Sequence, residues 1–491
     1  MFRAAYNRRA MDLNNILLNN PELRVERDSY DFNVTTNFGE KIGAEETLER
    51  YCQFPGQGKP AHLYFHIPLC SYICHYCNYV KTIYRGKDET VLDRWVAALI
   101  SESQAYLSRA NWLHEAKIES IYFGGGTAAL MQERHLAQFM RHIRQNYSLA
   151  EDCEISLEGN PDNFQNDEPE KAVKLGFNRF SIGVQSLDDR VTQFVGRKHD
   201  RASTLNAIEN LRRSGHPFNI DYIFGMPYQS VDSVLTEIRT FIELASPQIT
   251  IYRLRNADRV KLGLDIANRS SWNSEKSIKR FNEKAPFPSL ETTYAMRAAL
   301  MGLLLENNYH PAPAAWWSRA GTYPDGIAAV SRNKWQNMDT MIAFGPGAYG
   351  WIVEPNGEIL QTHNTTDISG HLGHMESGLG IPLSHGRYVT GRQAVSVALG
   401  YAFKACKPMS VQKIKERFNV DLLKDEPYRE VLFTLVDKGF LGFSSQDSIF
   451  MPTLAGEAFH EEIIDVYFQG WIGMLNPPLF PSPFRINNSE Y

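Results

Sequence analysis

The sequence predicts an α/β fold: a partial (β/α)6 barrel of the TIM type, followed by a mainly helical C-terminal domain with a winged-helix-like end. Three observations predict it. Six short β-rich runs recur along residues 62–253, helical patterns separate them, and the chain of 491 residues has room for several domains. Strands alternating with helices favour a parallel sheet built by right-handed crossovers.

The runs are His62–Ile67, Ile118–Phe123, Cys153–Leu157, Arg179–Gly183, Phe218–Ile223 and Gln248–Tyr252. Each is rich in branched or aromatic residues and ends at a polar or glycine-containing turn. Between them, residues 91–107 place Val91, Leu92, Trp95, Val96, Leu99, Ile100 and Tyr106 near helical period. Segments 136–143, 202–211 and 234–244 read similarly, with Asp200 and Ser233 standing near the starts of the last two. Residues 256–287 read as a loop or linker, 290–306 as a helix, and 340–350 as a glycine-rich segment returning toward the open side of the barrel. From 391 to 468 the pattern is mainly helical, with a small hairpin at 441–451. Helices followed by a hairpin resemble a winged helix. Its acidic balance offers no phosphate-contact surface. Trp316, Trp317 and Trp335 read as core in preference to the floor of a flat pocket. Pro477–Pro481 reads as an extended strap or tail. The expected division is an extension (1–58), the barrel (59–260), a barrel-completing, substrate-side region (261–380) and a C-terminal domain with its tail (381–491).

Composition bounds the function. Hydrophobic residues make up 43% and charged residues 22%, with a net charge of −5, which is ordinary for a globular protein and gives no nucleic-acid footprint. No apolar run is long enough for a membrane span, and Met1–Ala5 lacks the apolar core of a signal peptide, so a cytoplasmic location is expected. Six cysteines are too few for a disulfide scaffold. Cys70, Cys74 and Cys77, spaced Cys-x3-Cys-x2-Cys on the loop after the first run, instead point to a metal in a reducing compartment. Cys52, Cys153 and Cys406 read as ordinary thiols.

Three thiolates can hold three irons of a 4Fe–4S cluster and leave the fourth iron open for chemistry. Zinc held by the thiolates with His75 satisfies the same spacing. The other strand ends separate the two. After the second run comes Gly124-Gly125-Gly126-Thr127, whose backbone can approach a ligand closely. After the third comes Glu158-Gly159-Asn160-Pro161, and after the fourth Gln185-Ser186 with Gly196-Arg197. Asp221 lies on the fifth, ahead of Gly225-Met226-Pro227. Barrel enzymes place their chemistry on such loops. A carboxylate, an amide, a guanidinium and glycine amides suit a ligand with an amino group, a carboxylate and a ribose. Zinc explains none of them.

These pieces resemble the radical S-adenosylmethionine (SAM) superfamily, in its branch related to oxygen-independent coproporphyrinogen oxidase and the heme chaperones. The matching motifs are Tyr64-x-His66-Ile67-Pro68-x-Cys70-x3-Cys74-x-Tyr76-Cys77, Phe123-Gly124-Gly125-Gly126-Thr127, Glu158-x-Asn160-Pro161, Ser181-x-Gly183-x-Gln185-Ser186, Gly196-Arg197-x-His199 and Asp221-x-Ile223-x-Gly225-x-Pro227. The resemblance implies a 4Fe–4S cluster on Cys70, Cys74 and Cys77. It implies SAM contacts from Tyr64, Gly125, Gly126, Thr127, Glu158, Gln185, Arg197 and Asp221. Some relatives bind a second SAM, for which Tyr64, Glu158, Asp221 and Leu254 are candidates.

Within this mixed branch the sequence tilts toward class C radical methyltransferases and cyclopropanases. These transfer a one-carbon unit from SAM to an sp2 carbon of a natural product, and use two SAM molecules. Cys77-Asn78-Tyr79-Val80-Lys81 resembles their cluster loops. Arg332-Asn333-Lys334-Trp335-Gln336-Asn337 stands where heme-chaperone relatives carry His-Asn-x-x-Tyr-Trp, and the leader is long. Tyr79 and Lys81 are the candidate catalytic residues, with loop packing as their alternative role. The expected partners are a small molecule with an unsaturated or aromatic carbon and a reducing protein such as flavodoxin or ferredoxin, with no nucleic acid and no membrane. The alternative is a heme chaperone or a porphyrin-modifying radical enzyme.

Overall fold

The computed structural model describes residues 11–24, 38–74, 76–77, 79–86, 88–254 and 287–473. Expectations placed on His75, Asn78, residues 256–286 and the tail after 473 lie outside the described residues, as does much of the N-terminal extension.

One mixed sheet organises the described chain. Its strands are β1 (Glu40–Ile42), β2 (Pro60–Ile67), β3 (Lys117–Gly125), β4 (Ser148–Gly159), β5 (Arg179–Gln185), β6 (Phe218–Phe224), β7 (Gln248–Arg253), β8 (Tyr309–Ala312), β9 (Trp316–Arg319), β10 (Thr340–Phe344), β11 (Tyr349–Val353), β12 (Ile359–Asn364) and β13 (Leu383–Val389). Their spatial order is β1-β13-β12-β11-β10-β2-β3-β4-β5-β6-β7-β9-β8. Strands β2 to β7 pair in parallel, in sequence order, as a partial barrel. Helices α1 (Thr90–Arg109), α2 (Glu133–Asn146), α3 (Glu168–Leu175), α4 (Arg201–Arg213) and α5 (Val231–Glu243) connect them, and α6 (Leu290–Glu306) follows β7.

Alternation along the strands explains this arrangement. Leu63, Phe65, Ile67, Ile121, Phe123, Ile155, Leu157, Phe180, Ile182, Ile220 and Ile249 are buried in the main apolar core. The intervening positions are polar or aromatic: His62, Tyr64 and His66 on β2, Glu154, Ser156 and Glu158 on β4, Arg179 and Ser181 on β5, Asn219 and Asp221 on β6, and Gln248 and Thr250 on β7. Side chains of period two face opposite sides of a sheet. One face therefore packs against helices and the other forms a polar barrel interior.

Three local expectations change. Ser230 caps α5 and accepts from the Ser233 amide, so Ser233 is the third residue of the helix in a reciprocal capping box. Helix α3 escaped notice because it spans eight residues and carries proline in its first turn, where proline is tolerated. Residues 340–344 form no loose return: β10 lies parallel to β2, with Ala343 opposite Tyr64. The antiparallel strands β11, β12, β13 and β1 then extend the sheet away from the barrel.

At the C-terminus, helices Gly391–Lys404, Val411–Phe418 and Tyr428–Asp437 precede a hairpin, Leu441–Ser444 with Ile449–Pro452, to which Met409–Ser410 adds a third strand. Trp317 and Trp335 are buried, while the Trp316 ring lies 5.0 Å from the Arg179 guanidinium carbon. Among the described residues Cys52, Cys153 and Cys406 form no disulfide. No helix among the described residues is long and apolar enough to cross a membrane.

Candidate active site

Cys70, Cys74 and Cys77 leave the C-terminal end of β2, the end at which strand-to-helix loops of a barrel gather. The two ends of the loop are tied to each other. Thr82 N–H donates to Pro68 O over 2.6 Å and Tyr84 N–H to Cys70 O over 2.9 Å. Lys81 Nζ donates to the carbonyls of Cys77 (2.7 Å) and Tyr79 (3.1 Å), which closes the loop on itself. His66 Nε2 pairs with Val80 O at 2.7 Å, and its Nδ1 with Tyr64 OH at 2.9 Å. Tyr79 is 62% exposed.

The glycine run after β3 does something other than expected. Gly126 N–H donates to Ile67 O (2.8 Å) and Thr127 N–H to Leu69 O (2.8 Å), so both amides hold the cysteine loop and are not open to a ligand. A Cβ on Gly126 would lie 2.6 Å from Leu69 O and 3.0 Å from Cys70 Sγ, so only glycine permits this approach. Thr127 Oγ1 sits 3.6 Å from Cys70 Sγ. Gly125, in the left-handed region at φ +105°, donates its N–H to Glu158.

Arg197 faces the loop from the opposite side. It is buried, and Nη1 contacts Cys74 Sγ (3.4 Å) and Tyr76 OH (2.9 Å) while Nη2 reaches Asn160 Oδ1 (2.7 Å) and Gly183 O. Its Nε has no partner. A guanidinium beside a sulfur stabilises the thiolate, the form that binds metal. Burial pushes the Cys70 thiol up to about 12, with Cys77 and Cys74 adding to the shift, so iron binding must displace its proton. Among the described residues no three His, Cys, Asp or Glu side chains converge as a cage for a single ion. Three thiols on one loop, a glycine cradle and a neighbouring guanidinium fit a cluster held by sulfur alone.

Deeper in the mouth stand two carboxylates. Glu158 ends β4 and is pushed up to about 8, first by desolvation and then by Asp221, against hydrogen bonds from Tyr122 and the Gly125 amide. Asp221, on β6, is raised to about 6 by desolvation. It accepts from Asn219 Nδ2 (2.9 Å) and Ser181 Oγ (3.3 Å). Like charges sharing a desolvated site resist double ionisation, so the pair retains a proton near neutrality.

Gln185 is buried and takes a left-handed φ of +68°, at a register shift where β5 meets β6. Such a conformation in a non-glycine residue marks a position held by its surroundings. Leu254 packs with Val191, Val195, Ile223 and Met226, and Tyr76 joins them, which gives an apolar wall beside the cysteine loop. The site list read from sequence omits His66, Tyr76, Tyr122, Asn160, Ser181 and Asn219. For His66, Tyr122, Ser181 and Asn219 the signal was the two-residue alternation along the strands, whereas Tyr76 and Asn160 lie on the loops after β2 and β4.

Comparison with known proteins agrees with this geometry. The model of the radical SAM superfamily matches residues 64–241. The heme chaperone HemW of Buchnera aphidicola (Schizaphis graminum) is 23% identical over 408 residues, 83% of this chain and 98% of its own. HemW of Haemophilus influenzae is 27% identical over 315 residues, 64% of this chain and 76% of its own. The structure of coproporphyrinogen III oxidase (HemN) of Escherichia coli superposes with a TM-score of 0.70 at 19% identity, covering 90% of this chain and 98% of that one, which establishes a shared fold. Residues 64–241 thus match a radical SAM core, the chain is similar to proteins of the HemN/HemW-like branch, and a 4Fe–4S cluster and SAM are the cofactors that this match implies. These relatives are named heme chaperones and give no support to the tilt toward methyl transfer or cyclopropanation.

Proposed function

We propose that this chain is a radical SAM enzyme whose substrate or cargo is a heme- or porphyrin-type tetrapyrrole. The observation that carries the reading is one barrel mouth combining the cysteine loop, Arg197 and the Glu158–Asp221 pair, in a chain whose heme-chaperone relative aligns over 83% of its length. One-carbon transfer rested on Asn78-Tyr79-Val80-Lys81. Lys81 closes that loop, and Asn78 lies outside the described residues.

In this reading Cys70, Cys74 and Cys77 would hold a 4Fe–4S cluster, which would supply the electron for reductive cleavage of SAM. Arg197 stabilises negative charge on Cys74 and is locked by Asn160 and Tyr76. Glu158 and Asp221 offer their shared negative charge to the ammonium and sulfonium groups of SAM. Leu254 and its apolar neighbours flank the adenosyl group. Tyr64, stacked 6.3 Å from Tyr122 and bonded to His66, lies where the two carboxylates and the cluster loop meet.

The test is anaerobic reconstitution with iron and sulfide, followed by reductant and SAM. The expected products are 5′-deoxyadenosine and methionine, together with near-stoichiometric binding of heme or a porphyrin by absorbance titration. Absence of all tetrapyrrole binding, with S-adenosylhomocysteine formed on an unsaturated substrate, would overturn the reading in favour of one-carbon transfer.

A further inference from the structure

The sheet face that lines the barrel continues past Tyr64 onto the antiparallel extension. Ala343 of β10 pairs with Tyr64. Met341 pairs with Trp351, so two residues toward the mouth Ala343 stands opposite Tyr349. Tyr349 pairs with His363 and His363 with His385. Paired residues of neighbouring strands share a face. These three rings therefore form a ladder level with Tyr64, at the same end of the sheet as the cysteine loop. The Tyr349 and His363 rings lie 6.1 Å apart at 21°, and the two imidazoles lie 4.6 Å apart at 1°.

The surroundings of the ladder are cationic. Lys334 Nζ lies 4.5 Å from the Trp335 ring centre and 5.9 Å from that of Tyr349, at the seam between barrel and extension. One row down, Gln361 pairs with Arg387, which in turn pairs with Lys41 of β1. Among the described residues neither Lys334 nor Lys41 has an acidic partner. Burial lowers the Lys334 ammonium to about 8, so it remains charged at neutral pH. Burial first, then His385, Arg387 and Lys41, hold His363 neutral, down to about 3. A partly buried cation without an anion is costly. A flat stack of rings beside it fits a planar ligand that brings anions of its own.

The geometry points to a substrate shelf: Tyr349, His363 and His385 support the face of a tetrapyrrole macrocycle, and Lys334 takes one of its peripheral carboxylates, which sets the ring's edge toward Tyr64 and the cluster loop. This rests on the tetrapyrrole reading above, and it adds to that reading a binding face and a specificity-determining residue.

The experiment is a fluorescence titration of the full-length protein with coproporphyrin, a tetracarboxylate, and with an uncharged porphyrin of the same ring size. The wild type is expected to prefer the acid at least about tenfold, the size of one charge-assisted contact. Lys334→Met should abolish most of that preference, and Lys334→Arg should restore it. Lys41→Ser, an exposed edge change that folding tolerates, should weaken the acid about twofold to threefold and leave the uncharged ring unaffected. A Lys334→Met protein that keeps the full preference while binding porphyrin overturns the shelf and leaves the tetrapyrrole reading standing. A wild type that binds neither porphyrin overturns both.

Discussion

On either side of Tyr64 one sheet face carries opposite charge. Toward the barrel it presents Glu158 and Asp221, desolvated and raised to about 8 and about 6. Toward the extension it presents Lys334, the His363–His385 pair and the Arg387–Lys41 row. The acidic side is partly compensated from within, since Asn219, Ser181, Tyr122 and the Gly125 amide all hydrogen-bond to its carboxylates. On the basic side, Lys334 and Lys41 lack acids among the described residues. The difference teaches that the two walls suit ligands of opposite charge: a cationic sulfonium on one, an anionic substrate on the other. The cysteine loop stands over the boundary between them.

The most severe way to break this comparison is to remove what both walls serve. Cys74→Ala deletes the thiol that touches Arg197 at 3.4 Å and leaves two of three sulfur ligands. We expect loss of the brown cluster chromophore, a fall in bound iron and 5′-deoxyadenosine at background, by absorbance, iron assay and product chromatography. A fully active, cluster-free Cys74→Ala protein would contradict the assignment of the loop.

The next change separates the walls by pH. Glu158 has a folded-state pKa of about 8, above that of the unfolded chain. The folded protein therefore holds the extra proton and loses stability as pH rises from the ordinary glutamate range through about 8. Glu158→Gln removes that loss, so the variant should gain in melting temperature over the wild type between pH 6 and 9, and little below pH 5. SAM binding should move the opposite way. In the wild type it tightens as pH climbs toward 8 and the carboxylate forms, whereas in Glu158→Gln the rise between pH 7 and 8 is lost and binding is about tenfold or more weaker. Melting curves and equilibrium dialysis across pH check both. Equal pH dependence in the two proteins would remove Glu158 from the cationic-ligand wall.

How much of this was legible in the sequence depends on the range of the interaction. The six parallel strands show in the chain because each carries its own apolar period and turn. The cysteine loop shows because its ligands are local. Strand β10 did not, because five residues next to glycines carry little pattern, and its place beside β2 is fixed by pairing across some 280 positions of chain. The backbone partners of Gly126 and Thr127 were not legible for a related reason. The motif tells that backbone comes close, and only the fold tells that it comes close to Ile67 and Leu69. The basic shelf was invisible: Lys41, His363 and Arg387 are scattered residues until three strands set them in register, and the helical turn 332–337 brings Lys334 beside Tyr349.

The smallest expected effect concerns the segment joining the two walls. Residues 345–348 link β10 to β11, and a Cβ on Gly345 would meet the His66 backbone, while one on Gly347 would meet Val80. Behind this turn lies a fully buried carboxylate, Glu102 of α1. It accepts from Gly345 N–H (2.9 Å) and Asn364 Nδ2 (2.7 Å) and lies 3.2 Å from His371 Nε2. Glu102 thus fixes the turn from beneath, at the level of the row Tyr64, Ala343 and Tyr349. Glu102→Gln keeps the shape but replaces one acceptor oxygen with a donor that opposes Gly345 N–H or Asn364 Nδ2. The expected cost is about 1–3 kcal/mol, the penalty of a mismatched buried polar contact. Because the turn touches the boundary and neither wall, we expect a lower melting temperature, a loss of no more than a few fold in porphyrin affinity, and less effect on SAM binding. A variant as stable as the wild type would show that the turn is held by the sheet alone, leaving Glu102 with no positioning role.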